Sequence, residues 1–227
     1  MPDIIEYYDS VAAYYDEILG KNSMNKAIRA TVAKKFSEIV EKGVILDFGG
    51  GTGGDLPWLT EQGYQVIFLE PSSKMREVAI KNNKHLIASG QVGFLKDDET
   101  KIHNWSDHAP FGPVNGVLSN FAVLNNIADL KETFEKLSRT MRQGGSIIAL
   151  ILKANFRKFM KISFPWTIKN LFTRHPFIMV TRYQDKQQTV YLHTLAEIKK
   201  TSSPYFSLNA VIPIKSSEFI LLHLKRI

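Results

Sequence analysis

VILDFGGGTGGD, residues 44–55, is the stretch on which the fold turns. Val44, Ile45 and Leu46 form an apolar run that reads as a buried parallel strand. DLPWLTEQ, behind the glycines, reads as the first turns of a helix. Gly49, Gly50, Gly51, Gly53 and Gly54 leave the backbone between them bare, so a ligand can lie directly against it. A strand, a bare loop and a helix in that order belong to a doubly wound sheet, which binds ligands beyond the carboxyl ends of its strands.

Two ligands compete for such a loop. Gly49, Gly51 and Gly54 satisfy the dinucleotide pattern G-x-G-x-x-G. Asp47 argues against it, because a pyrophosphate would have to sit near this carboxylate. S-adenosylmethionine has no phosphate and offers an ammonium and a sulfonium, and the ammonium can make a charge-assisted hydrogen bond to Asp47. The chemistry of the loop favours the methyl donor.

LDFGGGTGGDLPWLTEQGYQVIFLEPSSKMREVA, residues 46–79, resembles the donor-binding region of class I S-adenosylmethionine-dependent methyltransferases. Gly49, Gly51 and Gly53 fill that family's glycine positions. Gly50 stands where many members have Cys or Ser, a departure expected to be harmless. The resemblance places Glu70 on the ribose hydroxyls, with Pro71, Ser72 and Met75 in the turn that follows. It extends over about residues 7–152. YDSVAAYYDE resembles the family's N-terminal segment, which puts Tyr15, with Asp16, over the donor pocket. After strand three, Asp98, with Asp97 as the fallback, takes the place that often binds the adenine amine. SNFAVLN matches a subgroup's string after strand four, so Asn120 and Phe121 are expected at the donor site, Asn120 as a positioning group. Asn115 replaces the usual Asp before that strand. The N-P-P-Y signature of base-amino methylation is absent.

The resemblance implies an α/β, Rossmann-like methyltransferase fold: a mostly parallel seven-stranded sheet with helices on both faces and an antiparallel last strand. One domain over residues 1–227 is expected. Its parts are N-terminal helices (1–42), a donor-binding core (43–152), a cap or insertion (153–193), and a C-terminal helix and strands (194–227).

The pattern along the chain agrees. Helical spacing covers residues 3–19 and then about 23–41, with Ser23 as cap and Ala27, Ala30, Val32, Ala33, Phe36 and Ile39 for burial. Strands are expected at 64–69, 91–96, 116–124 and 146–152, with helices at 73–82 and 127–141. FIMVTRYQDKQQTVYLHT reads as a hairpin, LAEIKKTS as a helix, and two strands close the chain.

Composition narrows the function. A chain of 227 residues with 44% hydrophobic and 22% charged residues can bury a substantial core. The absence of cysteine excludes disulfides and thiolate metal sites. Together with the lack of an H-x-x-x-H pair or carboxylate cluster, it leaves no metal site to expect. No signal peptide or membrane-length apolar run is present, so a cytoplasmic protein is expected. Net charge is +7, and between Lys136 and Gln184 there are ten Lys and Arg without one Asp or Glu. KANFRKFMKISFPWTIKNLFTRHPF, residues 153–177, interleaves these bases with aromatics. That pattern suits an anionic membrane surface, a cap over a hydrophobic acceptor or, less well, single-stranded nucleic acid; packing on its own core is the plain alternative. His175 and His193 are the candidates for a catalytic base. The expected activity is methyl transfer to a small hydrophobic or lipid-like molecule. The rivals are a nucleic-acid methyltransferase, a nicotinamide-dependent dehydrogenase and a non-catalytic binding protein.

Overall fold

The central strands are buried along almost their whole length, with successive side chains entering two different cores. In β1 (Val44–Phe48), Leu46 and Phe48 face one core and Ile45 the other. This period of two is what a sheet between two helical layers requires. The computed structural model describes residues 4–19, 22–105, 110–153, 177–183 and 186–227.

The remaining strands are β2 (Gln65–Leu69), β3 (Val92–Phe94), β4 (Val114–Ser119), β5 (Met141–Leu152), β6 (Phe177–Tyr183), β7 (Lys186–Leu192), β8 (Phe206–Pro213) and β9 (Phe219–Arg226). Seven of them form one sheet in the order β3-β2-β1-β4-β5-β9-β8. The first five run parallel, and β9 lies antiparallel to both β5 and β8. β6 and β7 pair separately as the expected hairpin. The strand order reverses at β1, which places a crevice beyond its carboxyl end.

One face is covered by α3 (Ser23–Ile39), α4 (Leu56–Glu61), α5 (Ser73–Asn82) and α6 (Lys84–Ala88). The other is covered by α7 (Leu130–Thr140) and α8 (Leu195–Ser202). Phe36 is fully buried and meets Trp58 and Tyr64 edge-on, at centroid distances of 5.8 and 5.3 Å. On the opposite face Phe134 packs against Phe206.

Local differences from the sequence reading have local causes. The N-terminal segment is not one helix: α1 (Ile4–Val11) and α2 (Tyr15–Leu19) flank a 3₁₀ turn at Ala12–Tyr14, which bends the chain over the sheet. Asn22, not Ser23, caps α3, its Oδ1 accepting from the Met24 N–H at 2.9 Å. The buried stripe of α3 is Ile28, Val32 and Phe36, because the larger side chains fill the space while Ala27 and Ala30 stay exposed. β4 ends at Ser119. Asn120 leaves the ladder, and Phe121 and Ala122 then adopt φ of 50° and 66°. Two successive left-handed residues without glycine are strained, on the order of 1–3 kcal/mol each. The Ala122 N–H holds the turn by donating to Leu150 O at 2.9 Å.

Candidate functional site

At the carboxyl ends of β1, β2 and β4 lies a cavity of about 260 Å³. Its floor is the glycine loop. The Gly49 and Gly50 N–H groups donate to Leu69 O at 2.8 and 3.1 Å, which ties the loop to the end of β2. Gly49 has φ of 76° and sits against Val123. A Cβ at Gly50 would lie 2.2 Å from Phe68 Cε2 and 2.6 Å from Asp47 Oδ2. The Phe68 ring, tilted against Phe94, already fills the space that the family's usual Cys or Ser would need, so this loop takes the glycine that stands there.

Glu70 stands at the end of β2 and lines the cavity. Its carboxylate accepts from the Gly51 N–H at 2.9 Å and the Ser72 N–H at 2.8 Å. Burial nevertheless outweighs these bonds and pushes the carboxyl from 4.5 up to about 7. Ser72 caps α5 by accepting from the Met75 N–H and donates its hydroxyl to Asp9. Pro71 and Ser72 line the cavity. Met75 does not: it is fully buried against Val11 and Ala12, where it seats the N-terminal segment on α5. Gly53 likewise faces Ala79 of α5 and Asn83, the residue that follows that helix.

Asp47 is 1% exposed and lies beneath Gly50. Its Oδ2 has no hydrogen-bond partner among the described residues. Burial first, and then the charges of Asp55 and Glu70, hold its carboxyl well above the usual range, with Arg29 opposing them. Asp55, which the sequence reading passed over, lines the cavity as Glu70 does. Asp55 pairs with Arg29 at 2.5 Å and accepts from Trp58 Nε1 at 2.7 Å and from Asn120 Nδ2 at 3.0 Å. Asn120 Oδ1 takes the Phe121 N–H at 2.9 Å, so this amide holds the β4 turn as well as lining the cavity. Phe121, aimed by that turn, lies under the Arg29 guanidinium at 4.9 Å.

The roof is the N-terminal segment. Tyr15 lines the cavity and approaches Gly51, and Asp16 accepts from the Thr52 hydroxyl at 2.5 Å and from Asn82. Tyr8, also missed in the sequence, lines the cavity beside Tyr15. Only tertiary contact could reveal Arg29 and Tyr8, whereas Asp55 had a signal in its place at the end of the glycine run.

The acids after β3 are outside the cavity. Residues 97–100 close a 3₁₀ turn in which Glu99 accepts from the Lys96 N–H. Asp97 pairs with Arg76, and its side chain remains 82% exposed; that of Asp98 is 92% exposed. The turn directs Thr100, Lys101, Ile102 and His103 to the cavity instead. His193, a candidate base in the sequence, sits away from the cavity as a clasp between segments. Its Nε2 donates to Ile127 O at 2.9 Å, its Nδ1 faces Glu197 at 3.0 Å, and it does not line the cavity. His175 and nearly all of the basic aromatic stretch fall outside the described residues. Among the described residues no group of His, Cys, Asp and Glu could hold a metal ion. No described helix is long and apolar enough to cross a membrane.

Comparison with known proteins then decides the family. The model of a family described as "Methyltransferase domain" matches residues 21–199, most of the chain. The chain belongs to that methyltransferase-domain family. An uncharacterized methyltransferase of Geobacillus kaustophilus is 31% identical over 145 residues, 63% of this chain and 55% of the relative. Another, from Oceanobacillus iheyensis, is 34% identical over 82 residues, 35% of this chain and 38% of the relative. The chain thus spans about half or less of these relatives' length. Among solved structures, DhpI in complex with SAM and HEP superposes with a TM-score of 0.72 at 17% identity, covering 100% of this chain and 99% of that one. An S-adenosylmethionine-dependent methyltransferase from Clostridium acetobutylicum gives 0.64 at 14% identity, covering 96% and 98%. These likenesses establish the Rossmann-like methyltransferase fold for the family member described here.

Proposed function

We propose that the chain transfers the methyl group of S-adenosylmethionine to a small acceptor with an apolar body. One observation carries the reading. Three buried carboxyl groups, Asp47, Asp55 and Glu70, surround the glycine loop; Arg29 pairs with Asp55, Arg76 lies near Glu70, and Asp47 and Glu70 are still held above their usual range. Carboxyl groups that burial and mutual repulsion hold above their usual range gain a counter-charge from a ligand bearing an ammonium and a sulfonium, and find none in the pyrophosphate of a dinucleotide. The orphaned Asp47 Oδ2 and the bare loop above it fit the same ligand.

In this reading Glu70 accepts hydrogen bonds from the ribose hydroxyls while Gly51 and Ser72 hold it in place. Ile102, Leu69 and Pro71 wall the base end, and Tyr15 closes the loop from above. S-adenosylmethionine, when bound, supplies an already activated methyl group. What remains for the protein is to align donor and acceptor and to keep water out. Phe121, Val123 and Ile127 face the space beyond β4, which supports an apolar acceptor body. The same reading takes residues 1–227 as a single domain.

Calorimetric titration with S-adenosylmethionine and, separately, NADH tests the proposal. Saturable binding of the methyl donor alone, weakened at least tenfold by Glu70→Ala, is expected. Binding of NADH alone would overturn the reading.

A further inference from the structure

Three side chains far apart in sequence meet at one end of the cavity. The Tyr8 hydroxyl accepts from Asn126 Nδ2 at 3.0 Å and from Gln188 Nε2 at 2.9 Å, and Gln188 Nε2 also reaches Asn126 Oδ1 at 2.8 Å. They come from α1, the 3₁₀ turn after β4 and the hairpin strand β7. The amide orientation has a physical warrant. As written, every contact carries a hydrogen. With both amides reversed, two oxygens would face the phenol oxygen and only one could receive its proton.

The consequence is a hydroxyl whose lone pairs are both occupied. Tyr8 keeps only its O–H, and no described group accepts it. The ring lines the cavity, as does Asn126. Burial pushes the phenol up to about 12, so it holds its proton and cannot serve as a base. The glycine loop and Glu70, the donor's contacts, lie at the ends of β1 and β2. The Tyr8 ring meets Tyr15 edge-on, while Asn126, in the 3₁₀ turn after β4, and Gln188 of β7 hold the Tyr8 hydroxyl at the β4 end of the cavity. The walls there are apolar: Ile4, Ile5, Val123 and Ile127.

Resting on the methyltransferase reading, we propose that Tyr8, set by Asn126 and Gln188, recognises the methyl acceptor, and that the acceptor presents a carboxylate on an apolar body. A group that can only donate calls for a ligand atom that accepts. A carboxylate is also a nucleophile without loss of a proton, so no base is needed. One carboxylate oxygen uses a lone pair to form the new C–O bond. The methyl–sulfur bond breaks with its electron pair going to sulfur, which becomes a neutral thioether. The Tyr8 O–H binds the other carboxylate oxygen throughout. The product is a methyl ester, and charge balances because carboxylate and sulfonium neutralise each other.

The test uses the full chain, labelled S-adenosylmethionine and matched pairs of one carbon skeleton: octanoate and octan-1-ol, benzoate and benzyl alcohol, 3-phenylpropanoate and 3-phenylpropan-1-ol. Methyl ester formation from at least one acid, in preference to its alcohol, is expected. Tyr8→Phe should raise the acid's KM about ten- to one-hundredfold, the value of a hydrogen bond to a charged group, with a smaller change in kcat. Asn126→Asp, which sets a negative charge beside the phenol, should abolish binding of the acid. Methylation of alcohols over acids, no acid bound or turned over, or an unchanged KM in Tyr8→Phe would overturn the proposal. S-adenosylmethionine affinity is measured on each preparation. Its loss from the wild type would overturn the methyltransferase reading itself, whereas intact donor binding with failed acids overturns only the carboxylate assignment.

Discussion

Near neutral pH Glu70 is about half ionised, and in its proposed role on the ribose hydroxyls folding and donor binding would pull its proton in opposite directions. Its carboxyl is raised from 4.5 to about 7, chiefly by burial. The fold therefore prefers the protonated form. The stability linked to that preference is fully present below about pH 4.5 and is lost as pH rises through about 7. Asp47 is raised in the same direction and adds to the trend. Ribose hydroxyls, as donors, prefer the carboxylate. Donor affinity should thus climb by up to about tenfold per pH unit towards pH 7 and level off above it. Thermal melts without ligand should show a midpoint that falls from pH 5 to 8, with Glu70→Gln flattening the fall. A pH-independent donor Kd would contradict the assignment. Glu70 was legible from its spacing after the glycines. Its raised pKa was not, because desolvation depends on the fold that buries it, leaving Glu70 7% exposed.

At the scale of elements, the joints are made by polar groups that no periodicity announces. His193 follows β7 and binds the Ile127 carbonyl from the segment between β4 and α7, while Glu197 on α8 holds its other nitrogen. Removing the ring leaves a buried carbonyl without its donor, at a cost of about 1–3 kcal/mol. Urea denaturation of His193→Ala should show a loss of that size, with donor affinity within about threefold of wild type. A stable variant that loses methyl transfer would instead restore the histidine as a base. The helix and hairpin that His193 joins were legible from their patterns, since apolar periodicity is a local property. The expected strand at 116–124 was too long because Asn120 bonds Asp55, which leaves the ladder and starts the left-handed turn at Phe121.

Across the whole molecule, residues 4–19 form a strap over the cavity. Asp9 reaches Ser72 and the Lys74 N–H at the start of α5, and Asp16 reaches Thr52 and Asn82. Tyr8 ties the strap to the end of β4 and to the hairpin. A ligand that fills the cavity contacts this strap as well as the sheet. Hydrogen exchange of the amides of residues 4–19 should therefore slow on adding S-adenosylmethionine, by about tenfold or more, while α7 on the opposite face stays unchanged. Equal protection at both places would point to global stabilisation instead.

The order of strands and helices, the glycine loop, Glu70 and the membership of a family with this sheet were all present in the sequence. Each rests on short-range signals: apolar period, turn residues, fixed spacing within one β-α unit. Tertiary structure alone decided that Asp47 lies under the loop and Asp55 beside the cavity, and that Asp97 and Asp98 turn outward. It alone joined Tyr8, Asn126 and Gln188. Those outcomes depend on which distant side chains compete for the same buried polar atoms. That competition is settled only when α1, β4 and the hairpin are brought together over one end of the sheet.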